Sequence, residues 1–410
     1  MMTTITIVTP SYNQGRFIED TIQSVISQRG NFYIDFIIMD GGSKDNTVDI
    51  IKKYEDLMVK NCEIMRKDGL NYYIYSKHKG SFPWNNCLGI SYRWRSEKDK
   101  GQSNAINKGF KMAEGEIVSW LNSDDAYFSS AFDMVVNHFS KYPGDDFVYG
   151  DGDVVDEKGT LKWEWLSRPY DFSLMKSYHF LWNNFTNYIM QQSVFWRRSV
   201  FDRIGFLDES FHFAMDVEYW IRAGAKGLAL RHIPQKLGKF RMISGTKSLS
   251  SPTAFWPDML EIFRRYNGAC KMALFFAYYF YNISMNNSFE MLAVWEEMSK
   301  IWRRWETLGN DEIEKLEQQA HKGFDIGSLL AMNRAFLENK KRASSDIFRN
   351  SLAKNCFLIF HPLTLMYMIK CLLGLRISLK INLLKKNLVG LYRQRKYQYR
   401  YLKRKKGNAG

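Results

Sequence analysis

Cysteine is scarce in this chain and follows no pattern. The five present, Cys62, Cys87, Cys270, Cys356 and Cys371, include no C-x-x-C pair and no zinc-like spacing. That excludes a disulfide framework or a zinc finger, and a reducing, cytosolic setting is expected. Acid is missing from the carboxyl-terminal stretch: Ser351 to Gly410 holds fourteen Lys or Arg and no Asp or Glu. A clean membrane-spanning run is missing too. Gly268 to Ile283 is short and carries Lys271, and Cys356 to Leu375 contains His361, Pro362 and Lys370, so docked or interfacial helices are expected in place of spans. No repeat of fixed period occurs. The amino terminus enters a strand-like run, Ile5-Thr6-Ile7-Val8, almost at once, which leaves no room for a signal peptide.

There is ample material for a core. Of 410 residues, 45% are hydrophobic and 16% aromatic, which excludes a disordered chain. The net charge of +15 is unevenly distributed, because residues 1–350 hold 44 basic and 43 acidic side chains and the rest is wholly basic. The length exceeds one average domain. A large α/β domain over residues 1–250 is expected, then a helical region over 251–350 and a basic tail over 351–410.

The first half alternates strand and helix patterns. Strands are expected at 5–9, 34–39, 117–121, 147–155 and 192–196, and helices at 16–28, 47–57, 102–113, 128–142 and 217–223. That βαβα order argues for a parallel central sheet with right-handed crossovers, whose ligand site lies at the strands' carboxyl ends. Residues 61–95 break the rhythm with Tyr72, Tyr73, Tyr75, Phe82, Trp84, Tyr92 and Trp94 among Gly, Asn and Lys, and read as an insertion or long loop near an acceptor, with aromatics packed on the sheet the commoner explanation of such a cluster. Beyond about residue 250 the pattern turns helical: 255–266, 271–283, 289–305, 312–321, 326–341 and 346–355. The Ser- and Thr-rich segment 244–252 reads as a boundary or mobile loop.

Chemistry concentrates where apolar runs end. Trp120-Leu121-Asn122-Ser123-Asp124-Asp125 sets two carboxylates at a strand's carboxyl end, where a hard cation can take carboxylate and diphosphate oxygens. A solvated, helix-capping turn is the plainer reading of the same residues. Thr9-Pro10-Ser11-Tyr12-Asn13 ends the first strand, and Asp40-Gly41-Gly42-Ser43 ends the second. There Asp40 can accept from a base N–H or ribose hydroxyl while the glycines let backbone approach closely. In Phe211-His212-Phe213-Ala214-Met215-Asp216 an acid sits among bulky apolar residues at a helix start, where desolvation suits a general base and capping is the alternative.

Taken with the Ser96 to Gly109 segment, these separated motifs, in this order, resemble family 2 of the glycosyltransferases over roughly residues 4–243, apart from the 61–95 insertion. The resemblance implies the GT-A fold, a Rossmann-like α/β architecture with a mostly parallel central sheet flanked by helices. It assigns Thr9, Pro10, Tyr12, Asp40 and Asp99 to the nucleotide of a UDP-, GDP- or dTDP-linked sugar. It makes the acid turn the D-x-D metal motif for Mg2+ or Mn2+, with Asp124 the metal ligand, and Asp216 the catalytic base. Asn122 replaces the first acid of D-x-D; it can hold a ribose hydroxyl but brings no charge, so Asp125 is expected to share the metal. Arg241 is a candidate for the diphosphate, and Gln191-Gln192-Ser193 for the acceptor's neighbourhood.

The expected reaction is a single displacement with inversion. Asp216 takes the acceptor proton and the cation at Asp124 offsets the leaving diphosphate. The acceptor is expected to be a glycan or polyprenyl-linked sugar in cell-surface polysaccharide assembly. In the tail, Ile377, Ile381, Leu384, Leu388 and Leu391 recur at helical spacing among Lys and Arg, which suits an anionic membrane surface on the cytoplasmic side. Nucleic acid is the runner-up, from tyrosines interleaved with the charges, and a disordered, solvated tail is the third reading. A sugar-nucleotide nucleotidyltransferase would share the crevice, but the Gly-rich, basic phosphate loop it needs after the first strand is reduced to Gly15-Arg16.

Overall fold

The computed structural model describes residues 3–75, 86–176, 189–243, 255–269, 272–286, 295 and 308–372. The chain divides into two compact units, Met1–Phe263 and Arg264–Gly410.

The first unit is built on one large sheet. Its centre is β1 (Thr4–Ser11) and β2 (Tyr33–Asp40), buried at nearly every position, as parallel strands covered on both faces must be. Between them α1 (Ile18–Ile26) turns Ile18, Thr21, Ile22, Val25 and Ile26 inward, the single face that their helical spacing defines. After β2, α2 (Thr47–Asn61) buries Ile51, Tyr54 and Met58. On β1 rests α3 (Gln102–Lys111), so closely that a side chain on Gly109 would stand 2.4 Å from Val8.

β5 (Gly89–Ser96), β2, β1 and β6 (Ile117–Trp120) are parallel neighbours in that order. The chain moves outward from β1 to β2 and β5, then returns to lay β6 on β1's other side, and such a reversal opens a crevice at the strands' carboxyl ends. The turns after Ser11, Asp40, Ser96 and Trp120 all leave the sheet at that edge. The flank beyond β6 is mixed. There β10 (Val194–Arg197) runs antiparallel to both β6 and β8 (Phe147–Val155), while β11 (Leu230–Arg241) is parallel to β8. β7 (Ala126–Tyr127) and β9 (Leu161–Trp165) add short antiparallel pairs to β11 and β8. Four helices, α4 (Ala131–Lys141), α5 (Phe172–Lys176), α6 (Val200–Ile204) and α7 (Met215–Ala225), fill the connections. α8 (Trp256–Asn267) crosses the boundary between the units.

Where described, residues 61–95 are mainly regular strands in place of an insertion or long loop, and their aromatics pack on the sheet. Cys62–Lys67 (β3) and Leu70–Tyr75 (β4) form a hairpin through Asp68 and Gly69, both at positive φ (50° and 80°), the conformation an Asp-Gly hairpin turn requires. Their aromatics belong to the sheet: Tyr72 packs edge-on against Tyr33 at 5.1 Å, Tyr92 against Phe36 at 5.7 Å, and Trp94 Nε1 donates to Glu55. Phe82 and Trp84 lie outside the described residues, as do the 244–252 segment and, apart from Trp295, the helix expected at 289–305.

The second unit is helical. α9 (Ala273–Asn286) is apolar around its circumference and packs on α10 (Asn310–Leu337), where Gly323 and Gly327 let the helices meet: a side chain on either would stand under 3 Å from α9 atoms. The two helices expected at 312–321 and 326–341 are thus one continuous helix for most of their length. α11 (Lys341–Lys354) and a helix over 362–372 follow. Among the described residues no helix is long and apolar enough to cross a membrane.

Asp35 anchors the sheet's interior. Fully buried on β2, it receives Arg93 through contacts at 2.7, 2.8 and 3.1 Å, Thr6 Oγ1 at 2.8 Å and the Glu114 N–H at 3.2 Å. Removing one partner of such a pair strands the other's charge. Asp35→Ala should therefore lower unfolding free energy by about 3–5 kcal/mol in urea titrations, and a loss below about 1 kcal/mol would contradict this reading.

Candidate active site

The turns leaving β1 and β2 are fastened to each other. The Asn13 N–H donates to Ser43 Oγ and the Lys44 N–H to Asn13 Oδ1, each at 2.8 Å, with Asn13 in the left-handed region at φ 52°. Asp40 organises the second turn: Oδ2 accepts from the Gly42 and Ser43 N–H groups (3.1 and 3.0 Å) and from Ser96 Oγ (2.6 Å), and Oδ1 accepts from Ser43 Oγ. Its carboxylate is engaged within the protein. Thr9 and Pro10 are interior residues of β1, whereas Tyr12 exposes 59% of its surface. A side chain on Gly41 would meet Asp99 Oδ2 at 2.7 Å and Tyr12 Cδ2 at 3.4 Å. Gly41 thus keeps a space between an exposed aromatic ring and a carboxylate, chemistry that suits a planar base bearing N–H donors.

The structure divides the two acids of the next turn. Asp125 is buried: Oδ1 accepts the Arg241 N–H at 2.9 Å, and Oδ2 accepts Gln192 Nε2 at 2.7 Å and Asn122 Nδ2 at 3.3 Å. Burial, and then the neighbouring Asp124 charge, hold its carboxyl well above the usual aspartate range. Asp124 lies nearer the surface and lines a cavity of about 420 Å³. Burial raises its carboxyl too, with its own backbone N–H and Arg241 pulling the other way. Asn122 stands between motifs, with Oδ1 accepting Gln102 Nε2 at 2.7 Å.

Arg241 has other work than reaching a diphosphate. Only 6% exposed, it donates from Nε to the Asp124 carbonyl (2.9 Å), from one terminal nitrogen to the Glu157 carbonyl (2.9 Å) and from the other to Asp20 (2.8 Å). Its guanidinium clamps the acid turn to α1 and to the turn after β8.

Three consecutive residues draw the motifs together. The Gly101 N–H donates to Asp99 Oδ1 at 2.8 Å, Gln102 holds Asn122, and Ser103 Oγ lies 3.2 Å from the Phe211 carbonyl and against the Met215 thioether. Asp99, the acid turn and the start of α7 therefore converge on the first turn of α3, and Asp216, half-buried, is the residue after Met215. Within the first turn of α7 Asp216 Oδ1 accepts the Val217 N–H at 2.8 Å, and the N-cap residue, Ala214, offers no side-chain cap. Asp258 of α8 serves instead, accepting the Phe213 N–H at 2.6 Å and the Ala214 N–H at 3.1 Å. Glu218 takes no part, being buried in a forked ion pair with Arg222 at 2.7 Å. Sequence reasoning placed Gln192 near the acceptor and not beneath Asp125, and it missed Gln102, Ser103 and Asp258 as supports; of these Gln102 and Ser103 carried a signal, by following Asp99 at a helix start.

The cavity beside Asp124 is also lined by Asp20, Gln23, Ser24, Lys239 and Arg241; Tyr12, Asp40, Asp99 and Asp216 do not line it. Among the described residues no three His, Cys, Asp or Glu side chains converge as a metal cage. Asp124 and Asp20 both line the cavity, and one or two carboxylates completed by substrate phosphates are the donors a cation such as Mg2+ takes.

A family model described as Glycosyl transferase family 2 matches residues 6–205, the span that carries the turns after β1, β2 and β6 and all of Gly101-Gln102-Ser103. An uncharacterized glycosyltransferase of Rickettsia typhi is 24% identical over 225 residues, 53% of this chain and 58% of its own. One from Mycobacterium tuberculosis is 26% identical over 280 residues, 64% of this chain and 85% of its own. A Bacillus subtilis protein, TuaG, named as a teichuronic acid biosynthesis glycosyltransferase, is 29% identical over 123 residues, 30% of this chain and 36% of its own. Among solved structures, S. aureus TarS is similar with TM-score 0.49 and 15% identity, over 85% of this chain and 54% of that one. Residues 6–205 are thus a glycosyl transferase family 2 domain. It spans 58% of the length of the first Rickettsia relatives it matches.

The raised Asp125 carboxyl has a measurable consequence. The folded chain holds that proton to higher pH than the unfolded chain does, so stability falls as pH rises from the ordinary aspartate range through the raised one. Asp125→Asn keeps an acceptor for the Arg241 N–H and removes the ionisation. Without metal or nucleotide, the variant should gain stability relative to the parent as pH rises from the ordinary aspartate range toward neutrality. A difference that stays constant across that range would contradict the assignment.

Proposed function

We propose that this chain transfers a sugar from a nucleotide-diphosphate donor to a hydroxyl of a glycan or lipid-linked acceptor, with inversion, in cell-surface polysaccharide assembly. One observation carries the reading: Gly101, Gln102 and Ser103 tie Asp99, the acid turn and the Asp216 helix to a single place at the carboxyl edge of the sheet. The glycosyl transferase family 2 match supports glycosyl transfer, and the printed name of TuaG supports a role in polysaccharide biosynthesis.

Each group has a task. Tyr12 stacks on the donor's base, and Asp99, across Gly41, accepts from its N–H or from the ribose. Asp40 shapes the turn that presents these groups. Asp124 would hold Mg2+ or Mn2+, which when bound offsets the charge of the departing diphosphate. Asp125, Asn122, Gln192 and Arg241 keep Asp124 in place. Asp216 withdraws the acceptor's proton as its oxygen attacks the anomeric carbon from the face opposite the diphosphate; a single displacement of that kind inverts the centre. Residues 1–250 are the catalytic domain in this reading, 251–350 a helical region and 351–410 a basic region that meets an anionic membrane on its cytoplasmic side.

Asp216→Asn separates chemistry from binding. Transfer to acceptor should fall about 10²- to 10⁴-fold, while nucleotide-sugar binding, followed by thermal shift across a panel of donors, stays within about twofold. Unchanged turnover would remove Asp216 from the mechanism. Asp124→Ala should abolish the dependence of donor binding on added manganese, and a variant that still responds to manganese would place the cation elsewhere.

A further inference from the structure

The helix over residues 362–372 is docked with its apolar side outward. Its inward side is fixed on three counts: Thr364 and Tyr367 are buried, the Tyr367 ring lies 5.8 Å from Phe336 and 5.4 Å from Phe348, and the buried Asn333 on α10 donates to the Leu363 carbonyl at 3.0 Å. The only charge in the helix, Lys370, is turned toward that same Asn333, with Nζ 3.0 Å from Oδ1. What remains on the outside is Leu365, Met366, Met368, Ile369 and Leu372, from 36% to 87% exposed, with Phe360 at 76% just before the helix. An ordinary surface helix shows the reverse pattern, and a contiguous apolar patch of this kind marks a surface that something covers.

We propose that this face docks on an anionic lipid surface. The choice of occupant rests on charge. From Ser351 to Gly410 the sequence has fourteen basic residues and no acid, so the chain that continues from Leu372 has one sign throughout. A protein interface surrounds its apolar centre with a mixed polar rim, whereas an interfacial membrane anchor joins apolar side chains to Lys and Arg that meet acidic headgroups. Leu365, Ile369 and Leu372 enter the acyl boundary, beside acidic headgroups that attract a sequence of this charge. The inference rests on the reading of a lipid-linked acceptor above and names the surface by which the enzyme reaches it.

The test uses the full chain, with vesicles of phosphatidylglycerol in phosphatidylcholine and vesicles of phosphatidylcholine alone. The parent chain should float with the anionic vesicles and not with the neutral ones. The triple variant Leu365→Glu, Ile369→Glu, Leu372→Glu should lose about tenfold or more in binding, with its far-ultraviolet circular dichroism unchanged. Leu372→Glu alone, at the most exposed of these positions, should lose less and guards against a folding artefact. Undiminished binding by the triple variant overturns the proposal. So does a parent chain that is dimeric without lipid and becomes monomeric on the triple substitution, because the face is then covered by a second copy. Transfer is assayed in parallel on a soluble acceptor analogue: activity without vesicle binding overturns the docking surface alone, and vesicle binding without activity in any preparation overturns the glycosyltransferase reading alone.

Discussion

The first turn of α3 is the constraint on which the candidate site depends. Gly101, Gln102 and Ser103 reach three separate parts of the chain, and each contact is made by a different group: a backbone N–H to Asp99, an amide to Asn122 and a hydroxyl beside Phe211 and Met215. A helix held against β1 by a glycine contact at Val8 gives that turn a fixed position. The acid turn and α7 thus take their places from one rigid element. This is the arrangement that reactions dependent on the geometry of distant groups require.

Charge at the carboxyl edge of the sheet is sorted by environment. Asp40 and Asp125 are buried and surrounded by donors, and each shapes the backbone around it. Asp124, Asp99 and Asp216 remain partly exposed at the same edge. Two adjacent acids can therefore perform different tasks, because Asp125 is held by the Arg241 backbone N–H and the Gln192 amide while Asp124 lines open space. Arg241 belongs to the clamp. Its four donors are directed at Asp125, Asp124, Glu157 and Asp20, and a cation so enclosed acts on the turn's shape before it acts on any ligand.

Much of the fold was legible in the sequence because its central strands are continuous apolar runs and its helices carry one apolar face. β8 was expected at the residues it occupies, and β1, β2, α1 and α3 within a few residues. The hairpin through Asp68-Gly69 was missed because a cluster of tyrosines and lysines hid an alternating pattern, although the Asp-Gly turn was in plain view. β11 was missed for a different reason: it contains Pro234 and shifts register between His232 and Gly238, so no period-two pattern survives. In the site, motif residues could be named from the sequence, but which carboxylate turns inward could not. Asp124 and Asp125 differ only in what the fold brings beside them, and the partners come from residues 192 and 241, far along the chain.

The most direct measurement is a crystal structure of the chain with a nucleoside diphosphate and Mn2+. The account predicts the base beside Tyr12 and Asp99, the diphosphate and metal at Asp124 with Asp125 still bonded to Arg241 and Gln192, and the Asp216 carboxylate facing the end of the diphosphate. A nucleotide bound elsewhere, or an Asp216 carboxylate directed away from it, would contradict the account.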